Sequence, residues 1–354
     1  MSTIEFTDDA PLLSVDGVSI EYETRDGGRL RAIDDLSFEI DTDEILGLIG
    51  ESGCGKSTVA KAVLGLLPRN GYVVDGEIQF RGVDLTTLDT TELNQVRWQH
   101  VSLISQGAMN SLNPVHRISD QIIEAIQNHD DVSNEDARAR VAELFELVGL
   151  DPDRMDDYPH QFSGGMRQRA YIAMALVHDP SLIIADEPTT ALDVIVQDQI
   201  LKRLKELQDE FDLSILLITH DISVVAETCD RMGVMYAGKL MEYGNLRSIF
   251  DAPYNPYTLG LKNAFPSLTG DQQDLISIPG SPPDLSEVPA GCRFVERCPF
   301  ATETCTTSHP PLENVGADHH SACYRHEDIE QLREQAQLRE SWHRDGSQPT
   351  IEQH

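Results

Sequence analysis

Between Glu44 and Leu67 the sequence "EILGLIGESGCGKSTVAKAVLGLL" reads as a buried strand, a glycine-rich turn and a helix that starts near Lys56. In Gly50-x4-Gly55-Lys56-Ser57 the glycines let successive N–H groups of Gly50, Glu51, Ser52, Gly53, Cys54 and Gly55 curl around a phosphate. The helix N-terminus adds its positive dipole end. Lys56 is spaced to reach the β- and γ-phosphates of a nucleoside triphosphate, the Ser57 hydroxyl to ligate Mg²⁺, and Thr58 closes the loop. The run "LIIADEP" at 182–188 is an apolar strand that finishes on Asp186 and Glu187. Two acids there are costly without a cation or a proton-transfer task. Asp186 suits the Mg²⁺ sphere, and Glu187 suits the general base that polarises an attacking water. A third apolar strand, "SILLITHD", has His220 just beyond its end, in position for the γ-phosphate. Gln106 closes the short strand "VSLIS" and brings an uncharged donor and acceptor near the metal. The chemistry these residues describe is hydrolysis of a nucleoside triphosphate.

Apolar strands followed by helices position these groups, the pattern of an open α/β fold whose ligands collect at the carboxyl edge of a parallel sheet. One further stretch does not fit a single site. In "FSGGMRQR", 162–169, Ser163, Gly164, Gly165 and Met166 open a helix, and such an N-terminus is a second phosphate receptor. One triphosphate already has its cradle at 50–58, so the second receptor makes sense if it serves the nucleotide held by another subunit.

With these elements in order over about residues 12–255, the chain resembles the ATPase subunit of an ATP-binding-cassette (ABC) transporter. The resemblance implies a P-loop NTPase core with an antiparallel β subdomain and a helical subdomain at about 107–180. It implies ATP and Mg²⁺ as cofactors, the metal held through Ser57, Gln106 and Asp186. It places Tyr22 where the family stacks an aromatic on adenine. It also implies a head-to-tail ATPase dimer that sandwiches ATP against the partner's Ser163–Met166 segment, with Asp193 of "ALD" communicating across the interface. The apolar spacing of "EDARARVAELFELVGL", 135–150, is read as the internal core of the helical insert. One departure from the family pattern is Asp43, where glycine is usual; it is read as an acidic surface replacement.

"ISQGAMNSLNPVHRISDQI", "NPYTLGL" at 255–261 and "IPGSPPDLSEVPAGCRFVERCP" at 278–299 resemble the oligopeptide, dipeptide and nickel import subfamily. The implied partners are two membrane permease subunits, a second ABC ATPase of different sequence, and an extracellular solute-binding protein. The implied location is the cytoplasmic face of the membrane.

Composition bounds the alternatives. Sixty acidic against 27 basic residues give a net charge of −33, which repels nucleic acid and anionic lipid. The acids are spread along the chain and only six of the cations are lysine, a pattern read as a salt-loving host. No run approaches the about 18 apolar residues of a membrane span, and the amino terminus lacks a signal-peptide pattern. A non-transport ABC ATPase acting on ribosomes or DNA is disfavoured by the single cassette, short insert and acidic charge. An ATP-dependent redox switch is disfavoured by the complete set of Glu187 and His220.

Four of the six cysteines, Cys292, Cys298, Cys305 and Cys323, crowd the carboxyl-terminal region. The chain is divided into an ATPase domain, 1–262, a Cys-containing extension, 263–326, and a polar helix with a disordered tail, 327–354. So small an extension buries little core of its own, so a staple is expected. Disulfides are disfavoured in a reducing cytosol; four thiolates can hold structural Zn²⁺ or an iron–sulfur cluster, and the spacing does not decide between them. The subfamily resemblance favours [4Fe–4S]. His309, His319 and His320 are alternative ligands, read instead as solvated loop residues.

Overall fold

The computed structural model describes residues 4–7, 10–107, 111–190, 192–264, 276–286 and 289–342. Met109 of the "SLNP" stretch, Ala191 of "ALD", positions 265–275 and 287–288 of the extension and the tail 343–354 lie outside the described residues.

Strands β1 (Leu13–Glu23) and β2 (Arg29–Ile40) open the chain as an antiparallel pair. Leu13, Val15, Val18 and Ile20 of β1 are buried, the alternation of a half-covered strand interrupted by a bulge after Val15. Strand β3 (Ile45–Ile49) is buried at every position, as a strand covered on both faces must be. It feeds the phosphate loop and helix α1 (Lys56–Val63). Strand β4 (Gly71–Phe80) returns to β1 and β5 (Val83–Asp84) pairs with β4, giving a four-stranded antiparallel sheet in the order β2-β1-β4-β5. Helix α2 (Thr90–Val96) starts at an Asp89–Glu92 capping box and leads to β6 (Val101–Ile104).

The helical insert comprises α3 (Ile118–Gln127), α4 (Asn134–Leu147) and α5 (Gly164–Ala175). Ser133 caps α4, whose buried face is Ala137, Val141, Leu144 and Phe145, so the apolar stripe in the sequence is interior packing. Strand β7 (Leu182–Asp186), helix α6 (Val194–Phe211), strand β8 (Ser214–Thr219), helix α7 (Ile222–Thr228) and strand β9 (Arg231–Tyr236) complete a parallel core in which β6, β7, β8, β3 and β9 are neighbours. Asp43, just before β3, has φ +62°, the left-handed backbone that explains a glycine there. Aspartate tolerates it better than most residues and accepts from Gln208 Nε2 at 2.8 Å, so it is a built turn residue as well as a surface acid.

Strand β10 (Lys239–Asn245), helices α8 (Leu246–Asp251), α9 (Pro256–Asn263) and α10 (Glu303–Thr307), strands β11 (Glu313–Gly316) and β12 (His319–Ser321), and helices α11 (Ile329–Ala336) and α12 (Arg339–Trp342) close the chain. The larger sheet has eight strands in the order β11-β12-β10-β9-β3-β8-β7-β6.

Here the structure corrects two expectations. The extension does not depend on a core of its own, because it completes the ATPase sheet: β12 pairs with β10, placing Ser321 opposite Glu242. Phe294 packs edge-on to Tyr236 at 5.3 Å and beside Tyr257 at 5.2 Å. The closing polar helix α11 is amphipathic, with Ile329, Leu332 and Ala336 buried in the same core as Trp342 of α12. Nor do the three histidines lie in a solvated loop. His319 is buried on β12 with Nε2 2.7 Å from Glu242 Oε1. His320 is next to it on the strand, and His309 Nδ1 accepts from the Arg293 amide at 3.3 Å. Burial, with Lys239 and Arg293 nearby, lowers the His309 pKa to about 4.

Asp34 of β2 ties the two regions together, with Arg293 Nη2 at 2.5 Å and Lys239 Nζ at 3.1 Å from its carboxylate. Burial opposes ionisation of Asp34, but these two cations outweigh it and bring its pKa to about 2 from an ordinary 3.8. A carboxyl whose folded pKa is depressed contributes stability above its unfolded pKa and loses it as pH falls through the folded one. Thermal unfolding of the full chain followed as pH drops from above 3.8 to about 2 should therefore show a loss of stability that Asp34→Asn reduces.

Candidate functional site

The site is assembled where the parallel strands stop. At the exit of β3, Gly55 takes φ +110°, and a Cβ there would lie 2.5 Å from Ile33 Cδ1, so only glycine fits. Lys56 is almost completely buried, and its ammonium donates to the carbonyl oxygens of Gly50 at 2.7 Å and Glu51 at 3.1 Å. Ser52 and Gly53 are exposed at the crown of the loop. The Cys54 amide donates to Glu51 O at 3.3 Å, so that N–H braces the turn. Burial pushes the Cys54 thiol up, with Lys56 opposing, which keeps it protonated and unreactive. Tyr22, near the end of β1, donates its hydroxyl to Thr58 Oγ1 at 3.3 Å, which places the ring beside the loop.

Asp186 is the last residue of β7 and is buried. Ser57 donates to its Oδ1 at 3.1 Å, so a hydroxyl and a carboxylate oxygen, hard ligands of the kind Mg²⁺ takes, stand side by side. Burial raises the Asp186 pKa; the Ser57 hydrogen bond pulls against it and the Glu187 charge adds to it. Glu187 follows at φ +48°, a strained backbone costing about 1–3 kcal/mol. Its amide donates to Ile218 O at 2.8 Å, which fixes the strained turn to β8. Its carboxylate is held from three directions: Gln106 Nε2 donates to Oε2 at 3.0 Å, Thr190 Oγ1 donates to the same oxygen at 2.8 Å, and His220 Nδ1 lies 3.2 Å from Oε1. His220 itself is largely exposed, its side chain 60% accessible against 15% for Glu187. Gln106, Asp186, Glu187, His220 and Ser57 thus converge, a carboxylate flanked by neutral donors and an imidazole beside a loop shaped for phosphate.

Ser163 caps α5, its hydroxyl accepting from the Met166 amide at 3.3 Å. Gly165 lies so near α6 that a Cβ would be 2.6 Å from Val196 Cγ1. Asp193 caps α6 by accepting from Val196 N at 3.0 Å. Among the described residues no hydrogen bond joins Ser163–Met166 to the phosphate loop or to Glu187, so the second phosphate receptor is not brought into this chain's own site.

The four clustered cysteines do meet: Cys292, Cys298, Cys305 and Cys323 line one cavity of about 20 Å³, room for about one water. All four are free thiols. Burial raises the pKa of Cys292 to about 11, of Cys323 to about 12 and of Cys298 well above the ordinary range. Among the described residues no three His, Cys, Asp or Glu side chains form a set able to hold a metal ion. The expected metal staple, [4Fe–4S] or zinc, is therefore not supported among the described residues.

Two groups here were missed in the sequence. Thr190 carries no motif of its own; its signal is the hydroxyl three residues after Glu187 in a tight turn. Arg297, which donates to Glu51 Oε2 at 2.9 Å, lies 246 residues from its partner, beyond any local pattern.

Comparison with known proteins decides the family. Residues 33–190 match the family described as ABC transporter, and residues 241–305 match the oligopeptide/dipeptide transporter C-terminal region. The chain is 45% identical over 317 residues to the oligopeptide transport ATP-binding protein OppD of Escherichia coli K12, covering 89% of this chain and 93% of that protein. It is 44% identical over 333 residues to the OppD protein of Salmonella typhimurium, covering 92% and 98%. The chain belongs to the ABC transporter family. Solved ABC proteins share the fold: a dimeric ATP-binding cassette in a post-hydrolysis state with ADP and Pi has a TM-score of 0.60 at 26% identity, over 66% of this chain and 99% of that one. CbiO1 from Clostridium perfringens, part of the ABC transporter complex cbiONQ, has 0.60 at 26%, over 68% and 91%. The fold is thus that of an ABC ATPase, a P-loop NTPase, and the chain is an ATPase subunit.

A hydrogen bond to a charged group is worth ~1.5–3 kcal/mol. Thr190→Val keeps the shape but removes the donor to Glu187, so steady-state ATPase turnover should fall on the order of tenfold or more with the fold intact by circular dichroism.

Proposed function

We propose that this chain is the ATP-hydrolysing subunit that energises oligopeptide or dipeptide import through separate membrane subunits. The observation that carries the ATPase part is the Glu187 carboxylate, held by Gln106, Thr190 and His220 at the exit of a strand level with the phosphate loop. The substrate class is supported by the relatives' names and by the match of 241–305 to the oligopeptide/dipeptide transporter C-terminal region.

In this reading Gly50–Thr58 cradles the phosphates of ATP, Tyr22 faces the adenine and Lys56 binds the β- and γ-phosphates. Ser57, Asp186 and Gln106 would hold Mg²⁺, which supplies charge neutralisation for the phosphates. Glu187 orients and deprotonates the attacking water, with His220 as its partner on the γ-phosphate side. Ser163–Met166 closes over the nucleotide of a second ATPase subunit, a different chain, with Asp193 at the interface. ATP contacts made from both subunits favour the closed dimer, and hydrolysis removes that preference.

Two membrane permease subunits and an extracellular solute-binding protein complete the proposed transporter, with this chain at the cytoplasmic face. Among the described residues no helix is long and apolar enough to cross a membrane, which supports a path built by other subunits. The chain comprises an ATPase domain, 1–262, an extension, 263–326, that packs onto it, and a closing segment, 327–354. The reading of a saline host rests on the charge of −33, the spread of the acids and the scarcity of lysine.

The test is Glu187→Gln in the full chain. It should retain MgATP binding and lose at least about 100-fold in hydrolysis. Equal turnover in the variant would overturn the role of Glu187. Purification with ribosomes in place of membrane proteins would overturn the transport reading.

A further inference from the structure

Glu51 is a negative charge built into a loop shaped for phosphate anions, and nothing in the loop itself neutralises it. Its partner comes from the far end of the chain. Arg297 Nη1 donates to Glu51 Oε2 at 2.9 Å and to the Tyr236 hydroxyl at 3.0 Å, while Nε donates to Pro279 O at 2.9 Å. The guanidinium lies over the rings of Tyr236 and Phe294 at 5.6 and 5.9 Å, and only 7% of the side chain is accessible. The Glu51 amide donates to the buried Tyr257 hydroxyl at 3.1 Å, and its carbonyl accepts from Lys56 Nζ at 3.1 Å. The amide, the carbonyl and the Oε2 atom of Glu51 are thereby held, and its carboxylate is tied to the extension.

We propose that Arg297 is a positioning residue of the nucleotide site. It neutralises Glu51 and draws its carboxylate away from the incoming phosphates, so that the carboxyl-terminal extension sets the affinity of the phosphate loop for MgATP. The electrostatic reason is direct: a partly buried carboxylate near a triphosphate, left without its cation, repels it in a medium less screening than water. The neighbouring contact of Arg293 with Asp34 of β2 anchors the same segment to the ATPase and keeps Arg297 in reach. This inference rests on the reading of residues 50–58 as the ATP site.

The experiment measures MgATP affinity and steady-state kinetics on the full chain and its variants. Arg297→Ala should weaken binding and raise KM on the order of tenfold, with kcat at saturation little changed, the pattern of lost uniform binding. Adding Glu51→Gln to Arg297→Ala should restore most of the affinity, because the uncompensated charge is then gone. Arg297→Lys, which keeps the charge but not the guanidinium's set of hydrogen bonds, should recover part of the affinity lost in Arg297→Ala. A purely structural contact gives the opposite for the pair, since the double variant would be at least as weak as the single one. If the parent binds MgATP and Arg297→Ala binds equally, or if Glu51→Gln worsens Arg297→Ala, the inference is overturned while the ATP site stands. If the parent itself binds no MgATP, both readings fall. Should Arg297→Ala not fold, the neutral pair Glu51→Gln with Arg297→Gln decides: near-parental affinity supports the inference, and a tenfold loss overturns it.

Discussion

Strands β3, β7 and β8 are buried along their whole length, so a charge carried by any of them has to stand where the strand stops. Their register makes those stops coincide. Ile49 of β3 lies opposite Thr219 of β8, and Ile218 of β8 lies opposite Asp186 of β7. The phosphate loop, the Asp186–Glu187 pair and His220 therefore leave the sheet side by side. A shift of register in β7 or β8 would separate them and expose apolar faces at the same time, so the packing that stabilises the sheet also aligns the site.

The same edge stores strain. Glu187 holds a left-handed backbone that an isolated chain would avoid, and the hydrogen bond from its amide to β8 offsets part of that cost. In return the carboxylate projects to where Gln106, Thr190 and His220 can each reach it, from three separate elements. Asp186, one residue earlier, accepts from Ser57 instead. Two adjacent acids thus receive different surroundings, Asp186 buried beside a hydroxyl on the phosphate-loop helix and Glu187 among neutral donors. This is the division of labour that metal holding and proton transfer require.

How much of this could be read in advance depended on how local each signal was. The phosphate loop, the acidic strand end and the Ser163 segment are each contiguous, and each structure they implied is present. The insert's stripe in α4 was legible for the same reason. The extension was misread because its partners are distant: β12 pairs with β10 across more than seventy residues, and Phe294 fills a space lined by Tyr236 and Tyr257. Nothing within 292–323 signals that its apolar residues have a core to join. The crowding of thiols, which was legible, suggested a staple; the packing of the extension against the ATPase was not legible.

With sixty acids and 27 cations, the placement of each cation matters more than usual. Several of the best-buried arginines sit at joints between distant segments. Arg293 reaches Asp34, Arg297 reaches Glu51, and Arg333 of α11 donates to the carbonyl oxygens of Ala252 and Pro253 ahead of α9. Exposed pairs such as Lys202–Asp198, with side chains 70% and 46% accessible, are worth little and weaken further with salt. Buried ones are screened far less. In a chain this acidic, ionic strength therefore discriminates between two kinds of ion pair: it relaxes repulsion across the surface while leaving the joints between the extension and the ATPase almost untouched. Arg297–Glu51 is one of these joints, and it is the one that ends on the phosphate loop.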